Sequence, residues 1–268
     1  MSRIDLSAAR RALDELKSWD LRVVSVDGVK SLLTPALVGL RIEAPCFKAG
    51  LRLFRARAIP RPISRQDLWC PQFGATRLGR VNREKDVVFY SATTRDGAIF
   101  EIQPQKGDTI GLGIWRTTSD IRVSHLGYLP ALFGEVGSRR PVPPWARHPT
   151  APDADPANLE LAKLIESEFT QHVPLGQEHR YKISVAVGEV LLDAPDIDAV
   201  AYPALRMRWN ADNLALKPRV AERVLQFAGA EYLRIEEILN PGYRVILLDS
   251  SDRMSDDGKI QWKVRNVV

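Results

Sequence analysis

The sequence predicts an α+β fold, and three observations carry that prediction. The chain has 268 residues, 45% hydrophobic and 26% charged, the ordinary balance of a globular protein with a substantial core. Short β-branched or alternating runs (LRLFRARAI, VVFYSA, DTIGLGIW) interleave with segments of helical period. Their order follows no regular strand–helix–strand repeat and no internal repeat, which disfavours a doubly wound sheet.

Residues 5–19 place Leu6, Ala9, Leu13 and Leu16 at helical spacing among charged residues, so an amphipathic helix is expected there. LRVVSV and VKSLLTPAL follow, and residues 1–47 are read as an N-terminal extension to a domain over 48–268. From Leu51 the alternation of LRLFRARAI predicts a strand ending before Pro60 and Pro62. Residues 87–92 predict a buried strand. Thr93 or Thr94 then caps a helix with Asp96 in its first turn, ended by Pro104 and Gly107.

In DTIGLGIW, Ile110, Leu112 and Ile114 share one strand face. The proline-rich stretch 139–156 predicts a long loop, and Asp155–Pro156 a helix start. That helix, over 157–173, turns Leu161, Leu164, Ile165 and Phe169 inward. A second, over 181–192, turns Ile183, Val187, Val190 and Leu191 inward, with Ser184 at the core edge beside Gly188. Strands are expected in DAVAYPAL and NLALK around a polar turn at 207–212. A helix follows at 219–227, with strands at 232–235, 244–248 and 260–264.

Several function classes drop out. No run approaches the roughly 18 apolar residues of a membrane span, and the charged start MSRIDLSAARRALDEL lacks a signal peptide's apolar region, so a cytoplasmic protein is expected. Cys46 and Cys70 have no metal-type spacing, and His125, His148, His172 and His179 form no ligand pattern, so no metal is expected. Gly111 and Gly113 suggest a dinucleotide fingerprint, but Arg116 stands where its third glycine belongs. Walker, HExxH, GxSxG and paired CxxC motifs are absent. The balance of 38 basic against 33 acidic residues, a net +5, favours an anionic ligand. Arg139, Arg140, Arg206 and Arg208 lack the interleaved aromatics of nucleic-acid readers and are read as solvated charge, so nucleic acid is not the expected partner.

Four blocks remain: LFRAR; GRVN followed by VVFYSATTRDGAIFE; YKISVAVGE; and AYPALRMRWNADNLALKP. In these blocks, which come in the family's order, the chain resembles the RES-domain family, named for a recurring arginine, glutamate and serine. Residue by residue, the arginine falls on Arg55 (with Arg57 the slipped alternative), the glutamate on Glu101 and the serine on Ser184. The arginine and asparagine of the basic turn fall on Arg80 and Asn82, and the pocket tyrosine on Tyr90. Two departures stand out: NREKD lacks the glycine usual between the asparagine turn and the tyrosine strand, so that turn must be built differently, and Tyr202-Pro203-Ala204 replaces the family's YPS.

The resemblance implies an ADP-ribosyltransferase-like fold of small mixed sheets flanked by helices. It implies NAD as substrate, no separate cofactor, and cleavage of the nicotinamide–ribose bond by glycohydrolysis or phosphorolysis. It also implies the toxin of a toxin–antitoxin pair, with a cognate antitoxin as partner and self-association possible. Protein ADP-ribosylation from the same site is the close alternative, and non-catalytic nucleotide or nucleic-acid binding a third reading.

The chemistry suits the residues. Glu101 can stabilise oxocarbenium character at the ribose. Arg55 and Arg80 offer bidentate donors, with Arg80 favoured for phosphate. The Tyr90 ring can face the cationic nicotinamide, and Ser184 can hold ribose or the nicotinamide amide. Each has a structural competitor: Arg55 as an outward strand residue, Tyr90 as a core aromatic, Ser184 as a helix-packing residue, Glu101 as a solvated helix glutamate.

Overall fold

The structure is a computed structural model that describes residues 5–42, 44–74, 76–128, 132–143, 156–174, 176–239 and 242–263. Two helices come first, α1 (Leu6–Ser18) and α2 (Val26–Leu37), capped by the side chains of Asp5 and Ser25. Then follow β1 (Cys46–Phe47), β2 (Arg52–Ala58), α3 (Arg65–Leu68), β3 (Phe89–Ala92), α4 (Arg95–Glu101), β4 (Thr109–Thr117), β5 (Ile121–His125) and α5 (Leu132–Glu135). The remainder is α6 (Pro156–Thr170), α7 (Lys182–Asp193), β6 (Ala199–Pro203), β7 (Asp212–Leu216), α8 (Pro218–Val224), β8 (Leu225–Leu239) and β9 (Gly242–Ser251). The fold is α+β.

The strands form one mixed sheet of nine among the described residues, where small mixed sheets were expected. The order is β1-β5-β6-β7-β3-β2-β4-β8-β9, and β5 with β6 is the parallel pair. Its two halves meet at a seam between β2 and β3, where one residue pair, Phe54 with Ala92, is in register. On one face Phe89, Leu214 and Leu216 join Leu53, Trp69 and Trp115 in a core that spans the seam. On the other face the core is divided. Tyr90, Val200, Tyr202 and Ala215 pack under α2, α6 and α7, whereas Ala56, Ile110 and Leu112 pack with Ala98 and Ile99 of α4. Strand alternation thus gives each face its own set of residues.

The helices expected as an extension bury Leu16, Val29 and Leu33 in the same cluster as Ile165 and Val187. Arg83 in the NREKD turn is ion-paired to Asp27 of α2 and Glu189 of α7, tying that turn to the helical layer. The inward face of α7 is centred on Ser184, Val185, Ala186, Val187 and Gly188, while Ile183, Val190 and Leu191 are half-buried. Contacts from α2, α6 and β6 together set that face, and Ser184, expected at the core edge, is only 1% exposed. A Cβ on Gly188 would lie 2.8 Å from Val81 Cγ1, so the glycine admits the GRVN turn against the helix.

Other boundaries moved for tertiary reasons. The helix expected over 219–227 ends at Val224, because Leu225, Gln226 and Phe227 pair with Thr117, Arg116 and Trp115 of β4. The strand expected at 232–235 is part of a 15-residue strand. In the strand expected at 260–264, Ile260 makes one isolated bridge to Met254, and Val264 lies outside the described residues. Residues 144–155 of the expected loop, including Asp155 and His148, also lie outside them. Gly111 has a packing reason to be glycine: a Cβ there would run into Pro62 and Leu68. Among the described residues no helix is long and apolar enough to cross a membrane.

Glu166 of α6 is 1% exposed and its Oε2 has no hydrogen-bond partner among the described residues. Burial pushes its carboxyl up from 4.5 to about 8. The folded chain therefore keeps a proton that the unfolded chain has released, and stability falls as pH rises between those two values. Glu166→Gln is expected to melt several degrees above wild type at pH 8.5, with the gap closing toward pH 4.5. Equal melting curves at both pH values would contradict this burial.

Candidate active site in the sheet seam

A cavity of about 290 Å³ opens on the divided face, between the two cores. Of the residues singled out in the sequence, Arg55, Arg80, Tyr90 and Glu101 line it, and Asn82 and Ser184 do not.

Arg55 lies at the seam. Its Nε donates to Trp69 O and its Nη1 to Tyr90 O, both at 3.0 Å, so it satisfies a strand carbonyl beside the opening. Burial pushes the guanidinium down to about 10, and neighbouring Arg57 adds to that, yet Arg55 stays cationic at neutral pH. Its Nη2 has no protein partner among the described residues. Arg57 does not line the cavity; its Nη1 donates to Asp67 O.

Arg80 is fixed by a helix end. Nη1 donates to Phe169 O at 2.6 Å and Nη2 to Gln171 O at 3.2 Å, so the guanidinium meets orphan carbonyls at the C-terminus of α6. The same group lies 5.2 Å from the ring centroid of Tyr181 and 5.6 Å from that of Tyr202, both on the cavity wall. Ser184 Oγ donates within reach of Arg80 O at 2.8 Å and Tyr181 O at 3.0 Å. The serine therefore acts on the wall from behind.

Asn82 is likewise a support. Its Nδ2 donates to Arg77 O and Arg83 O, closing the GRVN turn, and its Oδ1 accepts from Tyr90 Oη at 2.8 Å. Tyr90 Oη in turn accepts from Val81 N at 3.0 Å, and burial holds the phenol well above its usual range. Tyr90 is thus both a partner of the helical core and part of the cavity wall. In the turn that follows Asn82, Lys85 takes the left-handed conformation at φ 71°.

Glu101 ends α4, whose N-cap is Thr94, accepting from Gly97 N at 3.0 Å. Its carboxylate is exposed and accepts from Asn213 Nδ2 at 2.8 Å. Asn213 sits on β7 and is 4% exposed, so one glutamate oxygen is oriented by a fixed amide and the other is left to the cavity. Among the described residues, Glu101 is the one acidic residue on a wall that carries Arg55, Arg80 and Arg206.

Tyr181, Tyr202, His172, Arg206 and Asn213 line the cavity without having been singled out as site residues. Tyr202, Arg206 and Asn213 fall inside AYPALRMRWNADNLALKP, so that block held the signal; His172 had none. Arg140, read as solvated, is instead paired with Asp212, which also accepts from Tyr128 Oη. The sequence matches no protein-family model and no curated protein.

The supports have measurable worth. Tyr90→Phe strands Val81 N and Asn82 Oδ1 and should destabilise the fold by about 1–3 kcal/mol. Ser184→Ala should cost about 1 kcal/mol. Denaturant titration reads both, and a Tyr90→Phe midpoint equal to wild type would contradict the buried hydroxyl network.

Proposed function

We propose that this chain cleaves the nicotinamide–ribose bond of NAD, with water or phosphate as acceptor, as the toxin of a toxin–antitoxin pair. The observation that carries the reading is the wall itself, which among the described residues sets three guanidinium groups and three tyrosine rings around a single carboxylate. Such a wall suits a ligand that is anionic in one part and cationic and aromatic in another, and NAD is such a ligand. The four sequence blocks resembling RES domains support the same reading and supply its toxin and antitoxin terms.

In this mechanism the C1′–N bond breaks, nicotinamide leaves as a neutral base with the bonding pair, and positive charge develops at C1′ and the ring oxygen. Glu101 lies across from that charge, its second oxygen held by Asn213, so the carboxylate need not reorganise as the charge appears. The rings of Tyr90, Tyr181 and Tyr202 favour the cationic pyridinium before cleavage and have less to offer the neutral product. Arg55 contributes its uncommitted Nη2 and its charge to the anionic part of the ligand. Arg80 acts by charge, because its Nη atoms are already engaged by α6. Water or phosphate then adds at C1′, giving ADP-ribose or its 1″-phosphate.

Incubating NAD with the protein and following free nicotinamide and protein labelling tests this. Wild type is expected to release nicotinamide, and Glu101→Gln to be slower by about 10²–10³-fold. No release by wild type, with or without phosphate, would overturn the reading. Release undiminished in Glu101→Gln would remove that residue's role, and label on protein would make the reaction a transfer.

A further inference from the structure

A second cavity, of about 390 Å³, adjoins the first and shares His172, Leu205 and Arg206 with it. Its walls include Phe100, Gln103, Pro104 and Tyr243, and among the described residues they carry no acidic side chain. Phe100 and Tyr243 meet edge to face with ring centroids 5.0 Å apart, giving that wall a fixed aromatic edge.

Arg206 stands where the two cavities meet. It is half-buried and, alone among the three cavity arginines, makes no hydrogen bond or ion pair with the described residues. An arginine left so on a wall would ordinarily swing into solvent, yet its backbone is tightly specified. Met207 N bonds Ala204 O at 3.0 Å, Arg208 N bonds Leu205 O at 3.0 Å, and Trp209 N bonds Ala204 O at 3.1 Å. Arg208 and Trp209 are both left-handed, at φ 47° and 61°, and buried Trp209 anchors the turn against Phe133 with centroids 5.0 Å apart. Across the second cavity Gln103 is also left-handed, at φ 47°, just past the end of α4. Non-glycine residues in this region cost on the order of 1 kcal/mol each, and persist where the surroundings impose them.

The geometry points to a second subsite: Arg206 anchors the pyrophosphate of a dinucleotide, and the adjoining cavity takes its purine nucleoside end. This deepens the NAD reading and rests on it for what fills the first cavity. A planar guanidinium with all its donors uncommitted matches pyrophosphate oxygens bidentately. Phe100 and Tyr243 offer apolar and aromatic surface to a base, and the Gln103 carboxamide offers hydrogen bonds to its edge. The two cavities in series thus select a dinucleotide over a mononucleotide.

The test is direct calorimetric binding of ADP-ribose to wild type, Arg206→Ala, Arg206→Lys and Gln103→Ala, beside nicotinamide release from NAD. Arg206→Ala is expected to lose on the order of tenfold or more in ADP-ribose affinity, with Arg206→Lys recovering part of it. Gln103→Ala is expected to weaken ADP-ribose while leaving nicotinamide mononucleotide binding as in wild type. Arg206 has no hydrogen bond or ion pair with the described residues to lose, so its variants should melt close to wild type. Unchanged ADP-ribose affinity in Arg206→Ala, or no ADP-ribose binding by wild type, overturns the subsite. NAD cleaved with an unaltered KM in Arg206→Ala sinks the subsite and leaves the cleavage reading standing. Lost ADP-ribose binding in Arg206→Ala, with no nicotinamide released by wild type, does the reverse.

Discussion

One hydrogen-bonding problem organises this molecule. A sheet that opens between β2 and β3 leaves strand carbonyls beside the opening without a neighbouring strand, and a buried unpaired carbonyl costs about 1–3 kcal/mol. Arg55 answers it by donating to Tyr90 O from one strand while bonding Trp69 O beneath. The guanidinium that stabilises the opening is therefore also a cation on the wall of the cavity that the opening creates. Structure and site share one residue, so neither reading of Arg55 excludes the other.

Around that seam the remaining polar groups form two ranks. Glu101 and the three arginines line the cavity, while Asn213, Asn82 and Ser184 stand behind them. The rear rank is 4%, 4% and 1% exposed, which makes it the rigid part of the assembly. The N-terminal helices take part through Asp27, because the pairing of Asp27 and Glu189 with Arg83 clamps the turn whose other residues are Arg80 and Asn82. The charge in NREKD thus has a local use, and Lys85 in the same turn takes a left-handed backbone conformation.

Much of the local structure was legible in the sequence, because local signals specify it. The Thr94 cap and the short helix delivering Glu101 follow from residues within one turn of each other. Alternation in LRLFRARAI fixed the strand, yet not which arginine meets the cavity; Arg55 differs from Arg57 by its position beside the seam, a matter of sheet register. Ser184 was placed on the right helix and at the wrong depth, since α2, α6 and β6 decide how much of that helix is covered. Phe227 looked helical and became a strand because β4 presents Trp115 to pair with it. Arg206 looked like solvated charge, and only the left-handed turn beside it and the two cavities that meet at it give it a different meaning.

The central claim is that a nucleotide ligand occupies the seam and touches both halves of the sheet. Amide hydrogen exchange with and without ADP-ribose reads that occupancy directly, whatever the acceptor chemistry. The account predicts slowed exchange in β2 near Arg55, in the turn at 79–82, in α4 and at 202–206, with the start of β8 at Leu225–Phe227 and the turn Ser255–Gly258 unchanged. Protection absent from the seam, or concentrated around 254–258, would contradict it.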